Sequence, residues 1–136
     1  MASKTVIDAV AARVTANWTR AQLYSLNVEG APPADLSAFL DIEYPISSET
    51  QITIGALGAN VFREQGVIRF VLCVPPGGGV DPWAGYIDEL RDLFRAKQFS
   101  GVTTWAADPP VINNHSDLIG YFELAVAVPY HFDKLA

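Results

Sequence analysis

The stretch Val67-Ile68-Arg69-Phe70-Val71-Leu72-Cys73-Val74, closed by Pro75-Pro76 and Gly77-Gly78-Gly79, decides the fold. Ile68, Phe70, Leu72 and Val74 alternate with Val67, Arg69, Val71 and Cys73, so a strand here offers two faces, both mostly apolar. A strand of that kind belongs inside a sheet, and its eight residues would span about 26 Å. The two prolines end it because they cannot donate to a ladder. The glycines then lead into a second predicted element, a helix with Asp81 as cap and Pro82 at its first position. Trp83, Ile87, Leu90 and Phe94 form its core stripe. Asp88 and Asp92 each precede an arginine by three, at Arg91 and Arg95, and Lys97 comes late, as the helix dipole favours.

Upstream, Ile7, Val10, Ala11, Val14 and Trp18 recur at helical spacing, which predicts a helix from about Thr5 to Trp18, with Thr5 and Asp8 as a capping box. Asn27 to Asp35, with Gly30, Pro32 and Pro33, reads as a loop. Two strands follow, Ala38 to Tyr44 and Thr50 to Ile54, with Pro45 to Glu49 as the turn between them, and Gly55 to Gln65 reads as irregular. Downstream, Gly101 to Ala107 and Leu118 to Phe132 read as strands separated by the polar loop Asp108 to Asp117. Phe122, Leu124, Val126 and Val128 mark one buried face. The order predicts a single α+β domain: a mixed, largely antiparallel sheet of four to five strands with two main helices on one face.

With 136 residues, half of them hydrophobic, the chain suits one core. Only 18% of residues are charged and the mean hydropathy is +0.19, so part of the surface is expected to meet a partner. A formal charge of −6 and a pI near 4.7 argue against gripping a phosphate backbone, which needs clustered Lys and Arg. The single cysteine excludes an intrachain disulfide. Met1 to Thr5 has no charged n-region leading into an apolar core, so no secretory signal is read there and the expected compartment is the cytoplasm. No apolar run approaches the roughly 20 residues of a membrane span.

Site chemistry is sparse. The two histidines are His115, beside Asn113, Asn114 and Asp117, and His131, between Tyr130 and Phe132; each is read as structural or surface-lying. Cys73, within an apolar strand, should be buried and its thiol pKa raised, the opposite of an activated nucleophile. Pro75 to Gly79 precedes a helix as a phosphate loop does, yet no Gly-Lys-Ser/Thr follows and Asp81 would repel phosphate. Asp41 and Glu43 share a strand face, a spacing open to acid–base or metal chemistry that a solvated face explains more simply. No HExxH, EF-hand or dinucleotide fingerprint is present, so no catalytic, cofactor or metal residue is assigned.

The ordered set of features resembles the tail terminator-like family of siphophages and gene transfer agents. It comprises the N-terminal amphipathic helix, the strand closed by Val74-Pro75 and glycines, the helix ending Leu90-Arg91-Asp92-Leu93-Phe94-Arg95, and Tyr121-Phe122-Glu123-Leu124-Ala125-Val126-Ala127-Val128-Pro129-Tyr130. Arg63 and Gly66 match the arginine and glycine that typically precede the central strand, and Pro129-Tyr130-His131-Phe132-Asp133 matches the aromatic final strand. The likeness covers nearly the whole chain.

The resemblance implies a structural virion protein of the tail or neck, assembled in the host cytoplasm. It implies a ring, usually a hexamer, that caps the tail tube at its set length and offers a surface to the head completion or connector protein. The partners implied are further copies of the chain, the tube protein and the connector, with DNA passing through an acidic lumen that does not hold it. Loops on a rigid sheet concentrate binding residues, so the contact candidates are Gly55 to Gln65 and Asp108 to Asp117 with Trp105: Arg63, Glu64, Trp105, Asn113, Asn114 and His115. Two alternatives remain open, another neck component, or a small-ligand-binding domain or enzyme whose mark would be a deep pocket around His115, Asn113 and an acid.

Overall fold

The computed structural model describes residues 1–24, 33–113 and 121–136, with the side chain of Asn113 excepted. In chain order the elements are α1 (Lys4–Asn17), β1 (Gln22–Tyr24), β2 (Phe39–Gln51), β3 (Val61–Val74), α2 (Trp83–Phe94), β4 (Gln98–Phe99), β5 (Val102–Thr104), β6 (Val111–Asn113) and β7 (Phe122–Leu135). Among the described residues the sheet has seven strands in the order β1-β2-β3-β7-β5-β4, with β6 also on β7. Among the described residues only the β1–β2 pairing is parallel. The α+β class holds, and the sheet is larger than four to five strands because β1, β4 and β6, of two or three residues each, exist only through pairing with longer neighbours.

The central strand behaves as its alternation requires. Ile68, Phe70, Leu72 and Val74 join Leu40, Ile42, Leu124, Val126, Val128 and Tyr130 in the main core. Val6, Val10 and Val14 of α1 and Ile87, Leu90 and Phe94 of α2 close the same core, so both helices lie on one sheet face. Trp18 is buried and its indole N–H donates to the Tyr86 carbonyl at 3.0 Å; Trp83 is half-buried, edge-on to Tyr86. On the other face Val71 and Cys73 pack with Phe39, Tyr121 and Ala125.

The main correction concerns residues 38–65. One strand, β2, runs from the first predicted strand through Pro45 to Glu49, which is no turn; the second predicted strand, Thr50 to Ile54, supplies only Thr50 and Gln51 to it, and Ile52 to Ile54 lie beyond its end. Pairing with β3 continues through Pro45 to Glu49, with a shift in register between Glu43 and Ile46. Proline is admitted at such a bulge because no ladder bond is asked of it. Its counterpart is Gly66, where an added Cβ would lie 2.1 Å from the Ile46 carbonyl oxygen. The hairpin turns instead at residues 52–60, and β3 starts at Val61, six residues before the apolar run, making both β3 and β7 14 residues long.

Two expected caps do not form. α1 begins after Ser3, and Asp8 pairs with Lys4 instead of completing a box with Thr5. Pro82, and not Asp81, holds the cap position of α2, without a side-chain cap bond. The ion pairs Asp88–Arg91 and Asp92–Arg95 are present as read. Most of the Asn27 to Asp35 loop, and Leu118 to Gly120 of the last predicted strand, fall outside the described residues.

Candidate protein-interaction surface

The helix-free sheet face divides at the bulge. Above it lie buried Val71 and Cys73; Arg69 donates to Glu43 at 2.6 Å, and burial followed by the neighbouring Glu43 charge raises the Asp41 pKa. Burial, then the charges of Glu123, Asp41 and Glu43, push the Cys73 thiol up to about 12. Among the described residues no group of three or more His, Cys, Asp or Glu is placed to hold a metal ion.

Below the bulge the same face is open. Residues of β2, β3 and β7 and the chain just after β5 line a concavity of about 440 Å³, with Ile46, Val67, Trp105 and Pro129 as its apolar part and Ser48, Arg63, Gln65 and His131 around them. The register puts these on one side, since Ile46 pairs with Val67, Ser48 with Gln65, Gln65 with His131 and Val67 with Pro129. Ile46 is 64% exposed and Trp105 52%, large apolar side chains that solvent alone does not favour.

Polar contacts fix the rim. Arg63 grips Asp133 with two bonds, Nε to Oδ1 at 2.7 Å and Nη2 to Oδ2 at 2.8 Å. That fork holds the Asp133 carboxyl below its ordinary pKa. It also spends the charge of Arg63 inside the protein, so the face offers phosphate little. The Trp105 indole N–H donates to His131 Nδ1 at 3.1 Å, and the rings lie 5.3 Å apart.

Of the residues read from the sequence, Arg63 and Trp105 therefore meet on one surface. Glu64 does not join them: strand alternation turns it to the helix face, where it accepts from the Tyr130 hydroxyl at 2.7 Å and the Ser3 N–H at 3.1 Å. Its role is to tie α1 to the sheet. Asn113 ends β6 opposite Glu123, away from the concavity along β7, while Asn114 and His115 lie outside the described residues. Ile46 was not singled out by the sequence; Gln65 closed the segment marked for contacts, while Pro129 and His131 were read only as part of the final strand, His131 as structural or surface-lying.

Comparison with protein-family models and with curated proteins returns no match for this chain. The surface must speak through its chemistry. An exposed tryptophan beside aliphatic and proline side chains, within a rim of paired charges and amides, has the composition of a protein interface core and rim.

A second exposed apolar site lies at the hairpin end, where Ile54 and Leu57 are each 99% exposed and Ile52 48%. It falls partly within the segment 55–65 that the sequence marked, and its signal was an absence of charge from residue 51 to residue 60.

Proposed function

We propose that this chain is a structural assembly protein, a tail terminator that closes into a ring on the head-proximal end of a tail tube, stops its growth and presents a surface to the head connector. The observation that carries this reading is the open lower sheet face, where Ile46, Trp105 and Pro129 stand exposed within a polar rim. The exposed hairpin end and the family resemblance of the sequence support it. An assembly subunit needs several separate sites, because each copy must meet its neighbours and the structures above and below it. The acidic balance, −6 per chain, suits a lumen that DNA crosses without sticking.

The test is to image particles by cryo-electron microscopy with and without the gene, and with Trp105→Ala. Overlong, headless tubes in the gene's absence support a terminator. Normal tubes with unjoined heads would assign the chain to another part of the neck, and normal particles would remove it from the tail altogether. Trp105→Ala should reproduce the defect of the deletion in a protein that still folds.

A further inference from the structure

We propose that residues 1–10, which include the first half of α1, are a releasable strap: they lift from the sheet as a unit while the rest of the molecule stays folded. The strap turns about the clasp that fixes the second half of the helix to α2, and Glu64 is the latch that holds it down.

α1 is weak by its own composition. Thr5, Val6, Ile7, Val10, Val14 and Thr15 are β-branched and lose rotamer freedom in a helix. Ser3 makes no side-chain cap bond, the first turn has no acid, the last turn has no base, and Lys4 opens the helix against its dipole. Lys4 pairs with Asp8 of the same helix, so that ion pair ties nothing to the sheet. A 14-residue segment of this kind is marginal in isolation, and docking must hold it.

Docking is uneven along its length. The second half is clasped to α2: Arg13 Nε donates to the Leu93 carbonyl at 2.9 Å, and the Trp18 indole N–H to the Tyr86 carbonyl at 3.0 Å. Just beyond the helix, Arg20 forks onto Glu89 with two bonds of 3.0 Å, its guanidinium 4.5 Å from the centre of the Tyr86 ring. The first half has no such clasp. The strap buries Ala2, Val6 and Val10, all small, whereas α2 buries Ile87, Leu90 and Phe94. Beside Ser3 and Thr5 a cavity of about 250 Å³ separates the strap from Phe62 and Phe132, so that flank lacks close contacts. Few buried apolar contacts place a segment at the low end of local stability.

Among the described residues, the polar ties of this end run to β2 and β3. The Ser3 N–H donates to Glu64 Oε2 at 3.1 Å; the Met1 ammonium donates to the Ser47 hydroxyl at 3.2 Å, and that hydroxyl donates to the Met1 carbonyl at 2.7 Å. Glu64 Oε2 also accepts from the Tyr130 hydroxyl at 2.7 Å. Lifting the strap breaks the Ser3 bond and keeps the Tyr130 bond, so the carboxylate stays partnered in the open form. It bares the helix side of the lower sheet, where Glu64, Gly66 and Tyr130 lie, and leaves that sheet open on both faces. A partner that binds the bared side draws the strap open, and one that binds only the closed form holds it shut.

The strap goes beyond the assembly reading and does not depend on it. The test is native-state amide exchange of the full chain in low urea, read residue by residue by NMR. Once lifted, the segment is too weak a helix to stay wound, so its amides exchange. Corrected for intrinsic rates, Ile7 to Val10 should exchange at least about ten-fold faster than Leu72 and Val126, with little dependence on urea, as a local opening requires. Trp18, whose N–H donates to the Val14 carbonyl at 2.8 Å on the clasped half, should exchange with the core. Ile7 to Val10 exchanging at the core rate, with the urea dependence of the core, would overturn the strap. Thr104→Val should quicken Leu72 and Val126 and leave Ile7 to Val10 unchanged, because Thr104 keeps its bonds when only the strap lifts; equal quickening at all these amides would also overturn it. Glu64→Ala should quicken Ile7 to Val10 about ten-fold or more, and an unchanged rate there would remove Glu64 as the latch. The native chain and Thr104→Val decide the strap even where Glu64→Ala does not fold.

Discussion

Gly66 and Ile46 meet backbone to backbone: the Cβ that Gly66 lacks would sit 2.1 Å from the Ile46 carbonyl oxygen and 3.0 Å from the Ser47 Cα. No side-chain rotation relieves such a contact, so Gly66→Ala must shift β2 against β3 at the bulge. Overpacking of this kind costs about 1–3 kcal/mol, and a backbone clash belongs at the upper end. Urea unfolding should show that loss, whereas Gly85→Ala, with open space at its Cβ on α2, should gain about 0.5–1 kcal/mol. Equal midpoints for Gly66→Ala and the native chain would refute the account of the bulge.

That pair also explains how far the sequence could be read. The two-faced strand at Val67 to Val74 and the stripe Ile87, Leu90, Phe94 were legible because each pattern is local. Pro45 looked like a break because its compensation, Gly66, stands 21 residues away, and only the paired register shows that the ladder passes it. β1, β4 and β6 are too short to show alternation. Arg63 and Trp105 stood out as single residues, but their meeting depends on the pairing of β3 and β5 with β7. The displacement of Glu64 to the opposite face was predictable from its place next to Arg63, once β3 is known to begin at Val61.

Thr104 closes the end of α2. Its hydroxyl donates to the Phe94 carbonyl and accepts from the Lys97 N–H at 3.1 Å, in a fully buried position. Thr104→Val keeps the shape and removes both bonds, leaving a buried carbonyl and a part-buried amide without that partner. The expected loss is about 1–3 kcal/mol, read from thermal and urea unfolding. Amide exchange at Lys97 should quicken in the variant; an unchanged rate would show that the hydroxyl does not hold the helix end.

Alkali should weaken the fold through Tyr130 and Tyr44. Burial, then the bond to Glu64, raises the Tyr130 pKa; burial, then the charge of Asp8, raises that of Tyr44. A raised folded pKa means a contribution fully present below the unfolded value, about 10, and lost as pH rises toward the folded one. The urea midpoint should accordingly begin to fall as pH passes about 10 and keep falling above it. Tyr130→Phe should flatten part of that fall, and a variant as alkali-sensitive as the native chain would exclude Tyr130 as its source.

Trp105 and His131 should act together on the open face. The indole N–H donates to His131 Nδ1 at 3.1 Å and the two rings lie 5.3 Å apart. His131→Phe keeps a ring in that place and removes the acceptor, so the indole N–H loses its partner within the protein. The Trp105 indole N–H signal should then move and exchange faster in NMR spectra, while those of buried Trp18 and half-buried Trp83 stay in place. Because the bond fixes the exposed indole on the face, partner binding there should weaken in His131→Phe as the ring loses its fixed orientation. A Trp105 signal left unmoved by His131→Phe would show that the two side chains are not coupled.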